Sequence, residues 1–259
     1  MNRLSNAEIY DRHFVPALFG PWGKVVSREA QIRVGHQVLD VACGTGALSC
    51  AAAEIVGQSG QVTGLDISEE MLSVARNKQV RVNWQQGRAE SLPFKDNSFD
   101  AVGSQFGYMF FEDPPKSLSE MLRVLRPGGR LAVAVCDAID HSPGYAVLTE
   151  LLHRLFGSQV ADGFRAPFRC GDPEILHRDA RSAGIDDARV TRHPGKVRFP
   201  SIASLVSTER SCAWTLGGML EDTQFEQLLA QAELSLQPFV DAAGQIVFDM
   251  PVLIMHVKT

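Results

Sequence analysis

Two carboxylates and a glycine turn are the residues here with the clearest chemistry. Asp40 sits in an apolar run that leads straight into a glycine-bearing turn, VLDVACGTG at 38–46, and Asp66 closes the next apolar run in GLDIS. Gly44 and Gly46 let a backbone approach a ligand with no Cβ in the way. An acid at the end of the second strand of such a unit can accept hydrogen bonds from both hydroxyls of a ribose. A nicotinamide dinucleotide uses the same geometry, yet two features speak against it. Ser49 stands where the G-x-G-x-x-G pattern has its third glycine, and Asp40 brings negative charge to the turn. Like charges about 5 Å apart at an effective dielectric near 20 repel by about 3 kcal/mol, so a pyrophosphate is disfavoured there. A ligand carrying an ammonium and a sulfonium is attracted by the same carboxylate.

Further along, His141 in DAIDHSPGY follows the fifth apolar run, where a substrate hydroxyl or amine would sit, and an imidazole suits a proton acceptor. Against that, an exposed loop histidine is more often inert. Tyr145, Phe164, Arg165, Phe168 and Arg169, with Trp214 later, could wall an acceptor pocket, and aromatic walls favour a flat or apolar substrate. The segment at 9–22, with Tyr10, His13, Phe14, Phe19 and Trp22, reads as a helical lid or as a helix packed on a sheet edge. Cys43, although in the turn, reads as a small packing residue. Met71 is open between core and ligand contact, and Asp100 reads as a cap or a solvated group.

These residues need elements to hold them. Strands are expected at 37–42, 61–65, 80–85, 99–105 and 131–136, the last after a Pro127-Gly128-Gly129 turn. An Ala-rich helix is expected at 44–56, closed by Gly57. A second helix follows Ser68 as cap, with Glu69 and Glu70 in its first turn and Arg76 near its end, matching the helix dipole. Leu118, Met121, Leu122 and Leu125 form one apolar helix face, and Phe-Glu-Asp-Pro-Pro at 111–115 reads as that helix's start. The stretch 137–168 reads as irregular. A helix at 172–183, a strand at 185–190, a late helix bearing Phe225, Leu228, Leu229 and Ala232, and a closing strand at 246–257 complete the chain. Alternating strands and helices imply parallel crossovers with ligands at the carboxyl ends of the strands, here near 42–46, 66, 87–90, 105 and 136.

VLDVACGTG, GLDIS, GRAESLPFKDNSFDAV (87–102) and VLRPGGRLAVAV (124–135), in this order, resemble the class I S-adenosylmethionine-dependent methyltransferases. Within them, the chain is similar to the ubiquinone/menaquinone-biosynthesis C-methyltransferases and their small-molecule relatives. The resemblance covers 36–136. It implies an α/β, Rossmann-like three-layer sandwich with a mostly parallel seven-stranded sheet and an antiparallel last strand, plus an N-terminal helical lid and an insertion after strand five. It also implies that Asp40, Ala42, Cys43, Gly44 and Gly46 hold the methionine end of S-adenosylmethionine and Asp66 the ribose. Ile67 and Met71 pack on the adenosine, Ala89 and Glu90 meet the adenine edge, Gln105 and Phe106 border the sulfonium, and Tyr10 reaches the cofactor. The family commonly has an Asp before the Ala-Glu pair, and this chain has Arg88. Phe19, Tyr145, Phe168 and Trp214 are then expected on the acceptor side, with His141 as the proton acceptor.

At 259 residues, with 45% hydrophobic and 21% charged side chains, the chain suits one α/β domain: an N-terminal helical segment at 1–35, a cofactor core at 36–136, and a substrate-side insertion with C-terminal strands at 137–259. A net charge of −5 with scattered basic residues argues against nucleic acid as partner. Five cysteines without a C-x-x-C pair suit a reducing compartment and offer no metal framework. The opening MNRLSNAEIY lacks the apolar run of a secretion signal, and no stretch approaches the roughly 18 apolar residues of a membrane span. The expectation is therefore a cytoplasmic monomer or homodimer that methylates a small molecule at O, N or C, in the biosynthesis of a secondary metabolite or quinone-like compound. A nicotinamide oxidoreductase and a non-catalytic cofactor-binding regulator are the rival classes.

Overall fold

The computed structural model describes residues 4–212 and 214–259. Contacts divide the chain into two compact units. One, the sheet unit, comprises Phe19–Val135, Asp172–Arg192 and Leu253–Thr259; the other, the helical unit, comprises the described part of Met1–Leu18 together with Cys136–Gly171 and His193–Val252.

Nine strands occur among the described residues: β1 Gln37–Val41, β2 Gln61–Asp66, β3 Val82–Gln86, β4 Phe99–Gln105, β5 Leu125–Cys136, β6 Arg189–His193, β7 Lys196–Phe199, β8 Ile246–Asp249 and β9 Val252–Lys258. Seven form one sheet in the order β3-β2-β1-β4-β5-β9-β6. β1 pairs in parallel with β2 on one side and β4 on the other, so that Asp40 lies level with both Gly64 and Gly103. β1, β2 and β4 are buried almost throughout, which is why they read as continuous apolar runs rather than alternating ones. β9 is the antiparallel strand. Thr259 exchanges bonds with Gly128 and Gly129 near the start of β5, and the carbonyl of Pro251 meets the amide of Asp137 just past its end.

Helices Ala47–Val56, Glu69–Arg76 and Pro114–Val124 supply the crossovers. The second begins at Ser68, whose hydroxyl accepts from Met71 N, and the third at Asp113, whose carboxylate accepts from Lys116 N. The third stops one residue short of the expected apolar face. Leu125 turns extended and opens β5, so the Pro127-Gly128-Gly129 turn lies inside that strand as a bulge: pairing jumps from Phe99↔Leu125 to Ala101↔Arg130.

The part of the chain after β5 corrects the sequence reading most. The segment expected to be irregular at 137–168 carries helices Pro143–Phe156 and Ser158–Arg165. Its Pro and Gly residues are end signals: Pro143 opens the first helix, and Gly157, at φ +84°, closes it. The expected strand at 185–190 lies instead at Arg189–His193, because Ile185 folds back to bond Ala180 O at the helix end. The closing strand is two strands. Met250 and Pro251 divide it, with β8 pairing antiparallel to β7 in a separate two-stranded sheet and β9 joining the large one. No described helix is long and apolar enough to cross a membrane.

Candidate cofactor site

The turn after β1 is built by its own backbone. Cys43 N–H donates to Leu65 O at 3.0 Å, and Gly46 N–H donates to Cys43 O at 2.8 Å. Ala42, Gly44 and Gly46 adopt φ of +57°, +54° and +92°. At Gly46 only glycine fits, since a Cβ would lie 2.4 Å from Trp84 Cη2. Trp84, on β3, is thus the floor under the turn, and no spacing in the sequence points to it.

Asp66 ties this turn to the end of β2. One carboxylate oxygen accepts from Gly44 N at 2.7 Å and the other from Ser68 N at 2.8 Å. Burial raises its pKa against the pull of these amide donors. Asp40 is fully buried, and Ser49 Oγ donates to its Oδ2 at 2.6 Å. The residue that replaces the third glycine of the dinucleotide pattern is therefore spent on Asp40. Burial first, and the nearby Asp66 carboxylate last, push Asp40 up to about 7.

Several polar atoms at this end of the sheet are buried without a partner among the described residues: Asp40 Oδ1, Thr45 Oγ1, Ser104 Oγ and Gln105 Oε1. All belong to the carboxyl ends of β1 and β4 or the turn between strand and helix. Such atoms cost free energy unless something hydrogen-bonds them. Gln105 Nε2 donates to Phe19 O at 2.9 Å, and the Phe106 ring packs on Phe19 at 4.9 Å and on Trp22 at 6.2 Å, its backbone at φ +56°.

Beside Asp66 an open cleft of about 380 Å³, open solvent included, is bounded by Ala42, Asp66, Ile67, Arg88, Ala89, Glu90 and Phe110 to Glu112. Ile67 is 56% exposed, an apolar surface presented to this space. Of the expected site residues, Ala42, Asp66, Ile67, Ala89 and Glu90 meet at the cleft. Met71, only 4% exposed, is packed in the core instead. Phe110, Phe111 and Glu112 were not expected; Phe111 and Glu112 open the 111–115 run read as a helix start, and the helix itself begins after its cap Asp113. Arg88 turns to acids, with Nη2 2.6 Å from Glu112 Oε2 and Nε 3.6 Å from Glu90 Oε2. Glu90 Oε1 also accepts from Glu112 N at 3.0 Å.

A methyltransferase-domain family model matches residues 39–133, the span that holds this turn and cleft. The chain is also 42% identical over 212 residues to demethylmenaquinone methyltransferase of Staphylococcus aureus, covering 76% of this chain and 84% of that protein. The chain is an S-adenosylmethionine-dependent methyltransferase. Solved structures show the same fold: a putative methyltransferase from an antibiotic biosynthesis pathway of Anabaena variabilis (TM-score 0.67, 17% identity, 92% of this chain and 97% of that one). Another is a putative methyltransferase of Bacillus halodurans (TM-score 0.60, 22% identity, 91% and 97%). The residues of this methyltransferase fit its cofactor: an unpartnered buried carboxylate oxygen suits an ammonium, and exposed Ile67 suits a base.

The remaining expected residues of the methyltransferase lie elsewhere. Tyr10 belongs to the helical unit, 5.9 Å from Trp214 and 6.1 Å from Phe14 between ring centres. His141 Nδ1 lies 3.1 Å from Oδ1 of the buried Asp137. Tyr145 is corrected from pocket wall to core: it is 2% exposed, its ring set among Phe164, Phe168 and Phe248. A phenol can be buried this way because its hydroxyl has a partner, Glu209 Oε1 at 2.9 Å. Phe168 is half-buried and Trp214 is 36% exposed. The Cys43 thiol is raised well above its usual range by burial, then by Asp40 and Asp66, so it is no nucleophile.

Proposed function

We propose that this methyltransferase acts on a hydroxylated aromatic acceptor of the quinol type. The 42% identity to a demethylmenaquinone methyltransferase over most of both chains carries that reading. S-adenosylmethionine, when bound, supplies a methyl group activated on sulfonium sulfur. Asp40 and the 42–46 turn hold the methionine end, Asp66 the ribose hydroxyls, Ile67 the base, and Ala89 with Glu90 its edge. Gln105 and Phe106 border the reacting end. Alignment supplies most of the acceleration, because the sulfur leaves without needing a proton. The acceptor does lose one, and His141, held at Nδ1 by Asp137, is the group we assign to receive it. The enzyme works in the cytoplasm and has no nucleic-acid partner, which the net charge of −5 supports. Chemically reduced naphthoquinones offered with S-adenosylmethionine should give S-adenosylhomocysteine and a methylated ring product. Cofactor binding without turnover of any naphthoquinol would overturn this acceptor class.

A further inference from the structure

Asp40 is enclosed by residues that hold one of its oxygens and leave the other open. On both neighbouring strands the residue level with it is glycine, Gly64 on β2 and Gly103 on β4. A Cβ at 64 would lie 2.9 Å from Ser49 Oγ and 2.6 Å from Trp84 Cζ3, so a side chain there would take the room the serine uses. Through that room the Ser49 hydroxyl donates to Asp40 Oδ2 at 2.6 Å, and the Ser49 backbone hydrogen-bonds the same carboxylate. The amide is available because Ser49 lies in the first turn of helix Ala47–Val56, where amides have no intrahelical carbonyl, and Gly46 offers no side chain as cap. Asp40 therefore caps this helix from β1, at the end where negative charge is favoured. Its Oδ1 is buried with no hydrogen-bond partner among the described residues. The titratable groups near it are Asp66 on β2 and the Cys43 thiol in the turn, which burial first, then the two acids, keep neutral. No cation of the described residues pairs with Asp40, so Oδ1 is left for one from outside the chain.

We propose that Ser49 is a positioning residue for the methyl donor: it holds Asp40 Oδ2 from the head of the helix and so leaves Oδ1 as an anion for the cofactor's ammonium. This rests on the reading above that Asp40 takes the methionine end, and it names the residue that makes Asp40 able to do so. A carboxyl buried without donors keeps its proton, and a neutral acid attracts an ammonium only weakly. Burial pushes Asp40 up to about 7, and both Ser49 donors pull it down against that push. Without the hydroxyl the carboxyl ionises at higher pH, and Oδ2 loses the bond that fixes it. The glycine that a dinucleotide-binding turn carries at this place supplies an amide but no hydroxyl. A pyrophosphate brings no ammonium to be received, so the hydroxyl at 49 belongs with a cationic ligand.

The test is calorimetry with two probes that share the adenosine and the sulfur. S-adenosylhomocysteine carries the ammonium, and 5′-methylthioadenosine lacks the whole amino-acid end. Wild type should bind S-adenosylhomocysteine more tightly as pH rises from 6 to 8, because Asp40 ionises, with 5′-methylthioadenosine flat over that range. Ser49→Ala should weaken S-adenosylhomocysteine about tenfold at pH 7 and move the midpoint of its pH profile upward, with 5′-methylthioadenosine within about twofold of wild type. Ser49→Thr, which keeps a hydroxyl, should restore most of the affinity and the wild-type midpoint. If Ser49→Ala does not fold, Ser49→Gly removes the hydroxyl without setting a methyl group against Asp40 and carries the same expectation. Equal weakening of both probes would mean that Ser49 only supports the turn, and an unchanged affinity and pH profile would mean that Asp40 needs no hydroxyl; either overturns the proposal. Wild type binding the two probes equally would instead strike the reading that Asp40 holds the ammonium.

Discussion

Asp66 and Asp40 are both buried acids at the cofactor site, but they are held differently. Asp66 accepts from two backbone amides, its remaining lone pairs are those we propose for the ribose hydroxyls, and hydrogen bonds to a charged group contribute roughly 1.5 to 3 kcal/mol each. Asp66→Ala should weaken S-adenosylmethionine at least tenfold by calorimetry, with circular dichroism unchanged. Unaltered affinity would remove Asp66 from the site. Asp40 is hydrogen-bonded by Ser49 through its hydroxyl and its backbone, keeps one unpartnered oxygen, and is pushed by burial up to about 7 against an ordinary 3.8. A folded state that keeps a proton the unfolded chain has lost becomes less stable as pH rises between those two values, by about 1.4 kcal/mol per pH unit, and levels off above the folded value. Asp40→Asn should remove that share of the slope, so urea midpoints of the cofactor-free variant fall less than those of wild type from pH 5 to 8. Its affinity for S-adenosylmethionine should fall too, because the charge facing the ammonium is gone. Arg88 is committed to Glu112 and Glu90, and a guanidinium has no acceptor to offer an amine. Arg88→Asp should therefore preserve or tighten cofactor binding, and a loss beyond tenfold would show that the arginine supports the cofactor.

At the scale of elements, the site is a turn pressed onto a strand. Gly46 is held at φ +92° over the Trp84 ring, and Gly44 is bonded to the end of β2, so β1, β2 and β3 set the turn's shape together. Gly46→Ala places a methyl group 2.4 Å from Trp84 Cη2 in a left-handed backbone. Overpacking of this kind costs about 1 to 3 kcal/mol, and the left-handed conformation adds about 1 to 2. The melting temperature and the cofactor affinity should fall together. A variant with wild-type melting and binding would mean that Trp84 yields easily and is no floor.

For the molecule as a whole, the sheet unit holds every residue expected to meet the adenosine, while Phe168, Trp214 and His141 belong to the helical unit. Fold alone does not specify a reaction, and the 36–136 core is the part we propose for the cofactor. Acceptor choice is thus assigned to the segments outside it. Phe168→Ala and Trp214→Ala should each lower turnover of a naphthoquinol about tenfold, with S-adenosylmethionine affinity within twofold. Loss of cofactor binding with normal acceptor kinetics would reverse this division of labour.

Much of the sheet unit was legible in the residues alone, because a parallel strand buried on both faces must be apolar throughout and its turn to a helix must carry glycine. VLDVACGTG satisfies both conditions locally and GLDIS the first, and Ser68 and Asp113 cap the helices that follow. What the sequence could not show depends on residues far apart in the chain. Trp84 under Gly46, Ser49 bonded to Asp40 and Glu112 bonded to Arg88 follow from strand register and loop approach. The helices at 143–165 were hidden because their Pro and Gly residues end helices as readily as they break them. Tyr145 looked like a pocket wall, since an aromatic side chain is the same letter in a core or at a surface. Only the packing of Glu209 against it decided that its hydroxyl could be buried.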